Sequence, residues 1–357
     1  MKKFAVILLL TSTLASYSQT TQKLTASKLN EYGLIYTLPR TVIDVTVEAK
    51  KTVKTPGEFY RYSTKYLGIS PITEKSEEWT LESVTVNPRG IPEESEQYLV
   101  QFKSGSTPFM LIDKNDFPLT VNADDYEFAP LPVLPSAQAA KPTILQTPAA
   151  VQAVTEEMLQ STSSAKRAEL AAQKIYELRQ SRNDIISGKA DQMPTDGTAM
   201  KLVLENLEQQ EAALTAMFVG TVQTSSAVRT YTIEPSEEPE SRIVVARVSI
   251  TDGPVDASDL SGDPIYLDMR TTVKGELPKN EKGEEKKFPK GGLAYRIPGA
   301  ADLTVTSGGK TYFRGSMNIA QYGVVFGLDP SIFTDKKAPA YVIFDSSTGA
   351  IKELGTK

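Results

Sequence analysis

The stretch Thr155–Gly220 limits what this chain can fold into more than any other, because it reads as a long helical hairpin between segments that read as strands. Thr155 offers a hydroxyl to the free N–H groups of a helix start, and Glu156 and Glu157 follow at the positive end of the helix dipole. No Pro or Gly then interrupts before Gly188. Ala165, Ala168, Ala172, Ile175, Leu178, Ile185 and Ile186 recur near the helical period and form a narrow stripe of small residues. The second arm is predicted over Thr198–Phe218, with Asp196 as its cap and Gly220 just past its end. Each arm spans about 32 Å at the usual helical rise. Alanine on one arm facing Leu and Met on the other permits close antiparallel packing. Such a hairpin either buries only its own seam or also presents an outer face to a partner.

The residues Ser187–Gly197 join the arms, a connection longer than the roughly 2–8 residues usual between packed helices. The tip is therefore expected to pack against a β domain or a partner. Arg179, Arg182, Asp184, Asp191 and Asp196 cluster around it as an expected ion-pair network, but exposed pairs alone are too weak to hold such a loop, so Arg182 and Asp191 are expected to contribute to that packing contact. This connection, with Arg179-Gln180-Ser181-Arg182 before it and Gln209–Gly220 after it, resembles an uncharacterised secreted family of Bacteroides-type bacteria, the domain of unknown function 4831. Tyr60-Arg61-Tyr62-Ser63-Thr64-Lys65-Tyr66-Leu67-Gly68 and Tyr295-Arg296-Ile297-Pro298 carry the same resemblance, which covers nearly the whole mature chain. It implies a shared architecture and export. No activity, cofactor or catalytic residue comes with it.

Met1-Lys2-Lys3 followed by the apolar run Phe4–Leu10 and small residues to Ala15 reads as a secretory signal, too short to span a bilayer. Cleavage is expected after Ser18, leaving Gln19 first. Loss of Lys2 and Lys3 takes the net charge from −5 to −7, which argues against nucleic acid as a partner. The chain has no Cys and no His. That removes lipid anchoring through Cys, disulfides, Ser-His-Asp and Cys-His catalysis, and the usual zinc and haem sites. No cofactor is expected. Any catalysis would rest on carboxylates, Lys, Ser or Tyr.

On both sides of the hairpin the pattern is β-rich. Gly33–Leu38 and Val42–Lys50 are expected strands broken apart at Pro39. Trp79–Val86 and Tyr98–Lys103 follow, separated by a turn at Asn87-Pro88-Arg89-Gly90, and then Phe109–Ile112 and Leu119–Val121. Pro130, Pro132, Pro135, Pro142 and Pro148 mark a stiff linker. Beyond Gly220, eight short strands are expected, among them Ile265–Lys274, Leu293–Ile297, Leu303–Thr306, Thr311–Gly315 and Val324–Phe326, with hairpin turns at Ser307-Gly308-Gly309-Lys310 and Ser346–Gly349. The fold class is thus mainly β with α: two antiparallel β-sandwich-like domains and a long antiparallel α-helical hairpin. Its divisions are a signal peptide at 1–18, a β domain at 19–129, a linker at 130–150, the hairpin at 151–220 and a second β domain at 221–357.

Few constellations point to chemistry. Tyr60, Tyr62 and Tyr66 crowd together, and on a strand Tyr60 and Tyr62 would share one face, a possible stacking platform for sugar rings. Tyrosines with a wet edge in a small sandwich explain the same cluster. Asp252, Asp256, Asp259 and Asp263 lie in one Gly- and Ser-containing loop and are calcium candidates, although their spacing misses the EF-hand pattern and Asp is a common turn former. Asn122, Asp124, Asp125 and Glu127 form a weaker set. Among 44 acids no pair stands out for glycoside hydrolysis, and no nucleophile elbow, phosphate loop or dinucleotide fingerprint occurs. The expected protein is exported and soluble in the periplasm or at the cell surface, without a transmembrane segment, and binds or scaffolds an envelope protein or a glycan. A carboxylate-dependent glycan hydrolase and a glycan-binding module are the alternatives.

Overall fold

A computed structural model of the chain describes residues 19–23, 33–102, 109–123, 132–194, 196–236, 242–334 and 338–356. The expected leader at 1–18, and Asp124, Asp125 and Glu127 of the weaker acidic set, lie outside them. The first half contains β1 (Gln19–Lys23), β2 (Leu34–Thr55), α1 (Ser63–Leu67), β3 (Ser76–Phe102), β4 (Met110–Ile112) and β5 (Pro118–Val121). Helices α2 (Pro148–Ala153), α3 (Glu156–Gln160), α4 (Ser164–Ile186) and α5 (Gly197–Val219) follow. The chain then returns to strands: β6 (Thr221–Ile233), β7 (Ile243–Ser249), β8 (Gly253–Asp256), β9 (Asp263–Val273), β10 (Leu293–Ser307), β11 (Lys310–Leu328), β12 (Ala340–Phe344) and β13 (Ile351–Thr356).

The fold is mainly β, in antiparallel sheets ordered β1-β3-β2-β6, β11-β10-β9-β7-β8 and β13-β12-β5-β4. Two of these sheets draw strands from both sides of the helices. β6 runs beside β2 from Ile43↔Ile233 to Thr55↔Thr221, and β12 pairs with β5 through Val342↔Val121. Strands of 19–129 and 221–357 therefore share sheets, where the sequence reading puts them in separate units.

Strand continuity differs from expectation for a physical reason. β2 passes through Pro39 and β3 through Asn87-Pro88-Arg89-Gly90, in register as Pro39↔Pro92, Gly90↔Thr41 and Pro88↔Ile43. A proline cannot donate to a sheet ladder, so it is tolerated where no strand lies on its open side. The pairing of β6 with β2 stops at Ile43, and β1 covers only Tyr98–Phe102 of β3. All three prolines sit beyond those flanking strands. In the same way β10 and β11 merge the expected pairs of short strands, with a register shift between Ile297 and Gly299. The turn at Ser307–Lys310 forms as expected, with Gly308 and Gly309 both at positive φ.

These long strands thread two cores. Ile43, Val45 and Val47 of β2 and Val84 and Val86 of β3 pack with Ile265 and Leu267 of β9 and Leu303 and Val305 of β10. Farther along the same strands, Tyr36 and Leu38, Tyr98 and Val100, and Leu293 and Ala294 join Val121, Val342 and Phe344 in a second core. The crossing between the cores is tight. A Cβ on Gly323 would lie 1.9 Å from the Ile297 carbonyl oxygen, so only glycine fits there. Thr41 closes the crossing with a buried network. Its N–H donates to Gln321 Oε1 (2.9 Å), its hydroxyl donates to the Ser347 carbonyl (2.9 Å), and Gln321 Nε2 donates back to the Thr41 carbonyl (2.7 Å).

The second core holds stacked Tyr36 and Tyr98 rings, with centroids 5.6 Å apart. Burial pushes the Tyr36 hydroxyl above its ordinary pKa, and the neutral hydroxyl donates to the Ala294 carbonyl (3.1 Å). Burial, then the hydrogen bond to the Glu96 carboxylate, pushes Tyr98 up as well. Groups raised in the folded state contribute stability that is whole below the unfolded value and is lost as pH climbs toward the folded one. The melting temperature is therefore expected to fall once pH exceeds about 10, the unfolded tyrosine value. The slope should be shallower in Tyr98→Phe. A melting temperature flat up to about pH 12 would show that these hydroxyls are not held neutral.

Candidate functional site

The helical pair is anchored at one end. Phe59 and Phe218 meet with ring centroids 5.4 Å apart, and Ala168, Ala171, Ala172, Ile175 and Leu214 close the core around them. Main-chain bonds reinforce the joint: Phe59 N donates to the Met217 carbonyl (2.7 Å) and Ile72 N to the Val219 carbonyl (2.9 Å). Gly57 and Gly220 allow this approach, since a Cβ at either would lie 2.3–2.4 Å from a carbonyl of the other segment. The caps follow the sequence in part. Asp196 accepts from Ala199 N (2.7 Å), and Gly220 ends α5 at a φ of 90°. The first helix does not run unbroken from Thr155. Thr155 caps only α3, and Ser163 starts α4 afresh. The intervening Ser161-Thr162-Ser163 is a run of hydroxyl side chains that compete for backbone hydrogen bonds and favour caps over helix interiors.

Away from the anchor, the pair is uncovered among the described residues. Among the described residues, Ser187–Gly188–Lys189 of the tip bond only back into α4, for example Lys189 N to the Asp184 carbonyl (2.8 Å). Most described tip residues are exposed, which corrects the expectation that the tip packs on a β domain. Arg182 pairs with Glu211 (3.0 Å) and not with Asp191, and Arg179 holds the other oxygen of the same carboxylate (2.6 Å). Glu211 is the hub that the spacing of charges around the tip did not reveal. It lies far along the second arm, and only the packing of α4 on α5 brings it over. Ile186 (66 % exposed), Met193 (41 %), Leu202 (69 %) and Val203 (37 %) remain uncovered on this outer half.

Tyr60, Tyr62 and Tyr66 do not form a strand face. They lie on a 3-10 turn, Tyr60–Tyr62, that leads into α1. Tyr62 and Tyr66 are tilted against each other at 6.3 Å and lean on the Phe59–Phe218 core, while Tyr176 donates to the Tyr66 carbonyl (2.9 Å). Arg61 and Lys65 lie over the Tyr60 and Tyr66 rings. The turn arises because Phe59 is drawn into the helical core, and that sets the direction of the residues after it.

The four aspartates are likewise apart in role. Asp252 accepts from the Ser249 and Thr251 hydroxyls (3.1 and 2.6 Å), and Asp259 accepts from Ser261 N (2.9 Å), both as turn formers. Asp256 faces Arg229 at 3.9 Å, and Asp263 begins β9. Among the described residues no three acids converge as a metal site would require. Asn122 is buried and donates to the Ala340 carbonyl (3.0 Å).

A second candidate arises on the outer face of β9, β10 and β11, a groove of about 710 Å³ lined by Asp268, Arg270, Asp302, Thr304, Arg314 and Ser316. The strand register sets them in two rows across the sheet. One is Arg270, Asp302, Ser316; the other is Asp268, Thr304, Arg314. Asp302 pairs with Arg270 (3.2 Å). Asp268 faces Arg242 (3.9 Å), whose guanidinium caps the Tyr266 ring at 3.9 Å. The signal in the sequence was the alternation of Leu267 and Met269 with Asp268 and Arg270, which marks one wet face.

The DUF4831 family model, described as a domain of unknown function, matches residues 32–352. The chain belongs to that family. Searches of curated proteins and of solved structures return no match. Three of the stretches that carry the DUF4831 resemblance have visible structural work, whereas the Ser187–Gly197 connection is mostly exposed. Tyr60–Gly68 and Gln209–Gly220 build the anchor of the helical pair, and Tyr295–Pro298 lies where β10 crosses between cores.

Proposed function

We propose that this DUF4831 protein is an exported, non-enzymatic binding or scaffolding protein of the cell envelope. In this reading a layered β body is the platform, and the helical hairpin is an arm that meets a protein partner. One observation carries it: the hairpin is fixed firmly at its base, yet its outer half exposes Ile186, Met193, Leu202 and Val203. Large apolar side chains left exposed on a held arm support a contact surface. The groove on β9–β11 adds weight against hydrolysis. Its two carboxylates are solvent-accessible and each faces an arginine, an arrangement for gripping a ligand, whereas a glycosidase acid needs a sheltered apolar setting.

The test is photocross-linking in native envelope fractions from residue 202, compared with a probe at residue 314 on the sheet. A discrete adduct from 202, lost when Val203→Glu is added while the melting temperature stays unchanged, is the expected result. The same adducts from both positions, or none from 202, would sink the reading.

A further inference from the structure

We infer that the groove on β9, β10 and β11 binds an acidic, hydroxyl-rich saccharide, a glycan bearing uronic-acid carboxylates, with Arg314 as the residue that takes the carboxylate. The site is distinct from the hairpin and does not depend on the reading above.

The charges in the groove are unequal in their engagement. Arg270 is held by Asp302, and Arg242 stands between Asp268 and Tyr266. Arg314 lies on the edge strand β11, exposed, and among the described residues it has no ion pair or hydrogen bond. A guanidinium presents its N–H groups in a fixed planar fork that suits one carboxylate with two parallel bonds. A free fork in a concave site therefore asks for an anion. Its neighbours limit which one. Asp268 lines the same groove, opposite Thr304 in the row that ends in Arg314, so a dianionic phosphate would be repelled as well as attracted. A single carboxylate fits this balance better.

The rest of the groove suits hydroxyls. Asp302 is held by Arg270, Asp268 only faces Arg242 at 3.9 Å, and both keep lone pairs free for O–H donors. Thr304 and Ser316 can donate or accept. The rows lie on three adjacent strands about 4.8 Å apart, so they span roughly 10 Å across the sheet, enough to meet more than one sugar ring. A peptide would want apolar pockets beside its polar contacts, and the groove lining has one apolar side chain, the buried Met269.

The experiment is calorimetric titration of the full chain with a short oligogalacturonate and with its neutral counterpart, a short galactan, at low salt. Wild type is expected to bind the acid form, and Arg314→Met should weaken it about tenfold or more, as expected for a lost charge-assisted pair. Arg314→Lys should retain part of the affinity, and Lys282→Met, an exposed residue outside the groove lining, should leave it unchanged. Because Arg314 is exposed, the variants should melt with wild type. Absence of binding by wild type, equal affinity of Arg314→Met, or preference for the neutral sugar would each overturn the inference.

Discussion

Arg296→Ala is expected to lower the unfolding free energy by about 3 kcal/mol or more. Arg296 is buried, 7 % exposed, where β10 passes from one core to the other. Its Nε donates to the Pro39 carbonyl of β2 (3.1 Å) and its Nη1 to the Ala320 carbonyl of β11 (3.4 Å). Its own N–H donates to the Gly349 carbonyl in the turn before β13 (2.9 Å). One side chain thus joins two sheets, and its main chain ties in the third. Burial pulls the guanidinium below its ordinary pKa, while the charges of Glu96 and Glu93 oppose that pull. Removing it leaves two buried carbonyls without a donor, each costing about 1–3 kcal/mol, and opens a void beside them. Relief of the buried charge offsets part of this, so Arg296→Met should cost less than Arg296→Ala. Urea unfolding measures the loss. A change below about 1 kcal/mol would show that water replaces the guanidinium and that the crossing is not closed.

Phe218→Ala should cost about 3–5 kcal/mol, the range for a fully buried aromatic truncated in place. Phe218 has no exposed surface and packs on Phe59 at the joint of the helical pair and the β body. Its loss is expected to act locally. Hydrogen exchange should quicken through α4, α5 and the 57–72 segment, while β9 and β10 keep wild-type protection. Arg296→Ala should do the reverse, loosening both cores and leaving α4–α5 contacts intact. Equal loosening everywhere in both variants would mean that helices and sheets unfold as one unit, and that the arm has no independent anchor.

The helices were legible because their determinants are local. Asp196 and Gly220 bracket α5, and the alanine stripe of α4 follows from residues a few positions apart. The break at Ser161–Ser163 has a local signal as well, its run of hydroxyl side chains, with Ser163 capping α4. The Tyr60 cluster was not legible. Its backbone conformation is dictated by the burial of Phe59 against Phe218, a residue far away in the chain. The groove was half legible. The alternation in β9 marks a polar face, but Asp268 and Arg314 line one groove only because β10 places β9 and β11 on either side of it.

By itself, the sequence determined the second helical arm with its bracketing residues Asp196 and Gly220, the Ser307–Lys310 turn, and the absence of histidine and cysteine chemistry. Each depends on residue type or on neighbours within a turn or two of chain. Only the tertiary structure decided that Pro39, Pro88 and Pro92 lie within strands, that strands before and after the helices share sheets, and that Arg182 finds Glu211. The reason is the same in each case. A missing N–H is harmless only where no strand lies alongside, and a charge is satisfied only by what packs against it, so both are settled by contacts between residues distant in the chain.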